Sequence, residues 1–282
     1  MHNALSVCRV SKLSRFKIVA YALELHLTKT LLIMSSIPEN LQAVHAQIDA
    51  VKMHITRNGE NLPESQRGTG PNPGAVQLLA VSKTFGADAV IAAAEAGQRE
   101  FGENYLQEAL DKMLAVQERR PDLLLKWHFI GPIQSNKTRP IAEHFDWVHT
   151  IDREKIAQRL SQQRPPKLPP LNICLQVNVS GETSKSGVAP DALPALAHAV
   201  ANLPNLKLRG LMAIPEPAAD FEQQRQPFRQ LRALFNQLCA EGLELDTLSM
   251  GMSADMDAAI IEGATIVRVG TAIFGKRTYV HL

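Results

Sequence analysis

An α/β chain folded as a single-domain (β/α)8 TIM barrel, with one extra N-terminal helix, is what this sequence predicts, and three observations carry the expectation. Short, almost continuous apolar runs alternate with amphipathic helical segments from residue 77 onward, the pattern of parallel strands covered by helices. Eight such steps share about 205 residues, which suits a closed barrel better than an open doubly wound sheet. No G-x-G-x-x-G follows any of the strands, so the dinucleotide-binding form of the open sheet loses its main signature.

The extra helix starts near Ile37, where Leu41, Val44, Ile48, Val51 and Ile55 form one apolar stripe at spacings of three and four. Ser36-Ile37-Pro38-Glu39 reads as its capping box, with proline in the first turn. Asn58-Gly59 ends the helix, and residues 58–75 collect so many glycines and prolines that they form a loop. The barrel follows. Gln77–Ser82 is a buried strand and Ala87–Ala96 a helix stopped by Gly97. Arg99–Gly102 is the second strand, before a helix from Tyr105 to Gln117. Trp127–Ile130 leads to a helix over Ser135–His144, and Trp147–Thr150 to a helix capped by Asp152 and halted by paired prolines. Asn172–Asn178 is the clearest strand, followed by a helix over Asp191–Leu203. Leu208–Ala213 precedes a long helix, Phe221–Ala240; Thr247–Ser249 precedes one over Met256–Glu262; Thr265–Val269 is the last strand, with its helical turn expected from Gly275 onward.

Composition narrows the function. The 282 residues are 45% hydrophobic and 21% charged, which fits a globular chain with a full core and excludes disorder. The apolar stretch Ile18–Leu23 is cut by Glu24, far short of the roughly 20 apolar residues of a membrane span. No membrane association is expected. Residues 1–33 hold five basic residues against Glu24 alone, leaving 25 basic and 27 acidic residues beyond them. The alkaline pI is thus a property of this basic extension, and nucleic-acid binding is not expected. The working domain is taken as residues 34–282, starting at Met34, with 1–33 disordered or not translated. Cys8, Cys174 and Cys239 form no C-x-x-C pair and suit a reducing, cytoplasmic compartment. No H-E-x-x-H, Walker loop or cysteine–histidine cluster points to a metal.

In a barrel of this kind the working residues stand at the C-terminal ends of strands. Lys83 follows the first strand, where partial desolvation of its amine would make it an imine-forming nucleophile; the plainer alternative is a stem whose head reaches solvent. Ser249-Met250-Gly251-Met252-Ser253 follows strand seven and Gly270-Thr271 follows strand eight, the usual phosphate-binding position of the fold, although glycines also serve tight turns. Arg268 lies within an apolar strand and must find an acceptor, either at the barrel mouth or on a helix carboxylate. Asn104 and Asn178 are at strand ends. A phosphorylated carbonyl ligand satisfies both signals.

Taken together, Ala80-Val81-Ser82-Lys83-Thr84, Phe101-Gly102-Glu103-Asn104-Tyr105, Trp127–Gly131 with Gln134–Lys137, Gln176-Val177-Asn178, Gly210-Leu211-Met212, Ser249–Ser253 with Asp255, and Val267–Thr271 with Phe274-Gly275 resemble the pyridoxal phosphate homeostasis protein family, single-domain relatives of the alanine racemase barrel. The resemblance covers about 200 residues in order and leaves residues 1–33 unmatched. It implies pyridoxal 5′-phosphate as cofactor, with Lys83 forming an aldimine and Arg268 at the pyridine nitrogen. It implies Ser249, Gly270 and Thr271 at the phosphate, with Asn104 and Met212 lining the ring pocket.

A cationic arginine at the ring nitrogen weakens the cofactor as an electron sink, but by itself it does not exclude racemisation, because racemase-type barrels resemble this one at that position. In alanine racemases the opposite-face acid comes from a tyrosine of a second, β-rich domain; the resemblance implies a chain without that domain, and of the tyrosines here only Tyr105 is expected to approach the site. The expectation is a carrier without catalytic residues, which buffers pyridoxal phosphate or delivers it to apo enzymes dependent on it, within vitamin B6 and amino-acid homeostasis. Two rival readings are a pyridoxal-phosphate-dependent amino-acid racemase and a Schiff-base aldolase that needs no cofactor.

Overall fold

The structure is a computed structural model that describes residues 36–55, 75–180 and 186–275. The expectations for residues 1–33, for the Asn58-Gly59 helix end and for almost all of the 58–75 loop lie outside them. Helix α1 occupies the first described segment, residues 36–55. Its stripe behaves as the spacing requires: Ile37, Leu41, Val44 and Ile48 are buried in the main core, each contributing about 1.5–3 kcal/mol by removal from water. Two hydrogen bonds set its place, Asn40 to the Ile273 carbonyl at 2.9 Å and Gln47 to Asp257 at 2.7 Å.

Eight parallel strands then close into a barrel in chain order: β1 Gln77–Val81, β2 Glu100–Glu103, β3 Lys126–Phe129, β4 Trp147–Ile151, β5 Leu171–Gln176, β6 Leu206–Met212, β7 Thr247–Ser249 and β8 Ile266–Val269. β8 returns to β1 with Leu79 opposite Arg268 and Ala80 opposite Val269. The alternating helices are α2 Ala87–Glu95, α3 Leu106–Arg119, α4 Thr138–His144, α5 Glu154–Gln163, α6 Leu193–Ala201, α7 Phe221–Ala240, α8 Met256–Ile261 and α9 Thr271–Phe274. The (β/α)8 barrel read from the sequence is therefore the fold observed. Two local expectations change. Asp152 does not cap α5; Arg153 is the N-cap residue, and the Asp152 carboxylate accepts from the Arg153 guanidinium at 2.7 Å. The last helical turn precedes Gly275, because α9 opens directly after β8.

Alternation along the strands divides the apolar residues into two populations. Outward-facing Phe101, Phe129, Val148, Ile173, Leu211 and Val267 join the helices in the principal core. Inside the barrel, Leu79, Val81, Ile130 and Ile266 form one small cluster, and Trp147, Cys174 and Met212 another. Polar side chains occupy the space between them. Among the described residues no helix is long and apolar enough to cross a membrane.

Candidate functional site

Strand parity brings the candidate residues to one place. Leu79 and Val81 face the interior, and Lys83 continues their alternation beyond the end of β1; on β8 Ile266 and Arg268 face inward and Gly270 follows in the same phase. Glu100, Gly102 and Asn104 share a phase on β2, and Met212 is directly opposite Ser249 in the β6–β7 pair. Thus Lys83, Asn104, Met212, Ser249, Arg268 and Gly270 share the inward phase at the C-terminal half of the barrel, and Thr271 opens α9 at its rim.

Lys83 is carried on a tightly braced turn. Lys112, from α3, donates to the Ser82 carbonyl at 2.7 Å and to Glu103 at 2.6 Å, and the Ser82 hydroxyl donates to the same carboxylate oxygen at 2.6 Å. Thr84 sits in the left-handed region with φ 69°, an uncommon state for a β-branched residue that costs about 1–3 kcal/mol unless its surroundings impose it. Here Glu108 imposes it, accepting from the Thr84 amide at 2.6 Å while also meeting Lys112 at 3.1 Å. Burial pushes the Glu103 carboxyl up, and the Lys112 ammonium opposes that shift. Lys83 itself is half-buried.

Below the rim, a continuous polar chain crosses the barrel interior. The Arg268 guanidinium donates to the Ser249 hydroxyl at 2.9 Å and to the Ala213 carbonyl at 3.0 Å. Ser249 Oγ lies 2.7 Å from His149 Nδ1, His149 Nε2 lies 2.9 Å from His128 Nδ1, and His128 Nε2 lies 2.5 Å from Glu100. Ser249, His128 and His149 are wholly buried. Burial holds both imidazoles below the ordinary histidine range; Glu100 opposes this at His128, while His128 and Arg268 reinforce it at His149. Burial also lowers Arg268, to about 10, which still leaves it a cation at neutral pH.

These directions predict how stability depends on pH. A histidine held neutral in the fold binds its proton only on unfolding, so the unfolded chain takes up more protons once pH drops below about 6.5. Stability conferred by neutral His128 and His149 is present above that value and is lost as pH falls toward their lowered folded values. The unfolding free energy measured in urea should fall between about pH 7.5 and 5.5, with a slope of up to about 1.4 kcal/mol per histidine for each pH unit below the unfolded value. A flat free energy over that window would mean that the imidazoles titrate as they do in the unfolded chain.

The arrangement fits pyridoxal 5′-phosphate. The Asn104 amide oxygen is buried without a hydrogen-bond partner among the described residues, and it is held near the rim by a close backbone approach. A Cβ on Gly131 would fall 2.0 Å from the Asn104 carbonyl oxygen, so only glycine allows β2 and β3 to meet there. Gly270 likewise lies over the end of β1, where a Cβ would stand 3.0 Å from the Val81 carbonyl oxygen. An amine and a buried cationic donor suit an anionic aromatic aldehyde, and the unmatched Asn104 side chain leaves a polar group open beside them.

Two sequence-derived assignments acquire a physical context. Arg268 pairs with no helix carboxylate among the described residues; its acceptors are Ser249 and a backbone carbonyl. The Ser249 hydroxyl, read as a phosphate ligand, lies against Arg268 and His149. Sequence reading missed Glu100, His128, His149, Glu103 and Lys112. Histidines within the apolar runs Trp127-His128-Phe129 and Trp147-Val148-His149 were the available signal, since a buried imidazole requires partners.

Comparison with known proteins agrees with this geometry. Residues 41–278 match the family described as alanine racemase, N-terminal domain. The pyridoxal phosphate homeostasis protein of Pseudomonas aeruginosa is 61% identical over 246 residues, which span 87% of this chain and 98% of that protein. That of Escherichia coli is 51% identical over 246 residues, 87% of this chain and 99% of its own. The structure of PipY from Synechococcus elongatus with pyridoxal phosphate bound has a TM-score of 0.64 at 38% identity, covering 80% of this chain and 100% of that one. Alanine racemase of Clostridium difficile shares the fold, with a TM-score of 0.60 at 11% identity over 76% of this chain and 56% of the racemase.

Proposed function

The chain belongs to the alanine racemase N-terminal domain family and, within it, to the pyridoxal phosphate homeostasis proteins, and from that membership we propose that it is a cytoplasmic carrier of pyridoxal 5′-phosphate. In this reading it buffers the cofactor and hands it to apo enzymes, and so serves vitamin B6 and amino-acid homeostasis. Lys83 takes the cofactor's aldehyde, Arg268 meets the pyridine nitrogen, Gly270 and Thr271 receive the phosphate, Ser249, whose hydroxyl is engaged by Arg268 and His149, holds the guanidinium in place, and Asn104 and Met212 border the ring. When bound, the cofactor supplies an electron sink whose strength depends on a protonated ring nitrogen.

One observation carries the preference for a carrier over an enzyme. Arg268 is a buried cation that donates hydrogen bonds and accepts none, so a ring nitrogen facing it stays unprotonated and the sink stays weak. Tyr105, the candidate for an opposite-face acid, opens α3 and is 53% exposed, a poor setting for a positioned proton donor. Losing such a donor removes about 10²–10⁴-fold from proton transfer.

The test is transfer against turnover. Purified, cofactor-loaded chain should reactivate an apo pyridoxal-phosphate enzyme, and should show no steady-state racemase or decarboxylase activity on a panel of amino acids. Efficient turnover of any one of them, lost in Lys83→Ala, would replace the carrier with the racemase.

A further inference from the structure

We infer that His149, backed by His128 and Glu100, is a positioning residue for Arg268, and that a one-way chain of hydrogen bonds from Arg268 through Ser249, His149 and His128 to Glu100 fixes how the guanidinium meets the cofactor ring. The inference rests on the proposed reading for the ring contact, but the chain belongs to the protein alone.

The direction follows from counting protons. Arg268 can only donate, so the Ser249 oxygen accepts from it at 2.9 Å. At the other end Glu100, held below the usual carboxylate range because bonds from His128 and Lys126 outweigh its burial, can only accept. Its contact at 2.5 Å therefore carries the proton on His128 Nε2. A neutral His128 then has an acceptor at Nδ1, which takes the Nε2 proton of His149 at 2.9 Å. His149 Nδ1 in turn accepts the Ser249 hydroxyl proton at 2.7 Å. Every link has one donor and one acceptor, and both imidazoles are neutral.

The alternative can be written down and is worse. With His128 as an imidazolium the two bonds beyond it reverse, and His149 then donates to Ser249 from Nδ1. Ser249 would accept from both Arg268 and His149, and its own proton would have no acceptor among the described residues. Two cations would also share the barrel interior with Glu100, where burial disfavours a charged imidazole.

Other charged groups do not replace this chain. Asp255 attracts Arg268 through space, but among the described residues the two form no ion pair, and its carboxylate accepts from the Met252 amide at 2.6 Å. Cys174 is kept a neutral thiol by its burial. Glu100 is therefore the negative end to which the guanidinium is connected by bonds, and Ser249 and the Ala213 carbonyl fix its plane.

The experiment reads the tautomers first and the ring second. In cofactor-free, nitrogen-15-labelled full-length chain, long-range proton–nitrogen spectra should show His128 and His149 neutral and protonated at Nε2 throughout the physiological pH range. The Nδ1–H form at either residue, or an imidazolium, would overturn the chain even if cofactor binding stands. In loaded protein, His149→Phe leaves the Ser249 hydroxyl without its acceptor. It should weaken cofactor binding up to about tenfold, the upper end of what a hydrogen bond between neutral groups contributes, and displace the visible absorbance maximum. His149→Asn, whose amide oxygen can replace Nδ1, should restore both. Unchanged affinity and spectrum in His149→Phe would overturn the positioning role. Failure of the unmodified chain to take up cofactor would sink the carrier reading and leave the tautomers to decide the chain.

Discussion

Replacing Lys83 with alanine should abolish the covalent adduct with pyridoxal 5′-phosphate altogether, so that borohydride reduction followed by peptide mapping finds label on no peptide and the visible absorbance disappears. The expectation depends on more than the end-of-strand position. The turn that presents Lys83 is fixed from three directions, by Lys112 on the preceding carbonyl, by Ser82 on Glu103 and by Glu108 on the amide of Thr84. Lys83 follows directly on β1, whose neighbour in the barrel is the Arg268 strand. Lys137, in the Gln134-Ser135-Asn136-Lys137 loop, is the other amine to watch, and it is exposed in the turn after β3. A solvated lysine forms only a transient adduct, because water competes for the carbonyl and no neighbours orient it. Persistent label in Lys83→Ala, or label mapping to the Lys137 peptide, would move the site to the loop after β3.

The second large effect is expected one layer behind the site. Lys112→Met should destabilise the chain by about 3–5 kcal/mol at neutral pH, the usual loss when one partner of a buried ion pair is removed. Both charged side chains are almost wholly out of solvent. One Glu103 oxygen holds both bonds while the other has no partner among the described residues, so the carboxylate has little beyond Lys112 to offset its desolvation. Without the ammonium, the Glu103 carboxyl should rise further, because burial already raises it in the intact pair. An acid with a raised folded pKa costs stability above its unfolded value, near 4.3, and the cost vanishes as pH falls through the folded value. The deficit of Lys112→Met measured by urea unfolding should therefore shrink toward acid pH. The double variant Glu103→Gln/Lys112→Met should recover much of the loss at neutral pH. A deficit under about 1 kcal/mol would place the pair among ordinary surface ion pairs. Because Lys112 also braces the Ser82 carbonyl, cofactor uptake should fall in Lys112→Met even under conditions where the variant is folded.

The sequence by itself determined the barrel, the carrying strand ends and the family. Each of those depends on patterns that are local in the chain: runs such as Leu78-Leu79-Ala80-Val81, the three-and-four spacing of α1, and glycines placed directly after strands. Lys83, Asn104, Ser249, Arg268 and Gly270 could be selected because a residue's place on a strand end is a matter of counting along that strand. What only the tertiary structure decided is which polar residues complete one another across the barrel. Glu100, His128, His149, Ser249 and Arg268 come from five different strands, and His149 and Ser249 are separated by 100 positions. Their meeting is set by the closure of the barrel and the relative register of strands, which no single segment encodes. Lys112 shows the same limit on a shorter scale: nothing along its helical segment singles it out, and its bonds to the Ser82 carbonyl and Glu103 make it a buried brace between α3 and the ends of β1 and β2.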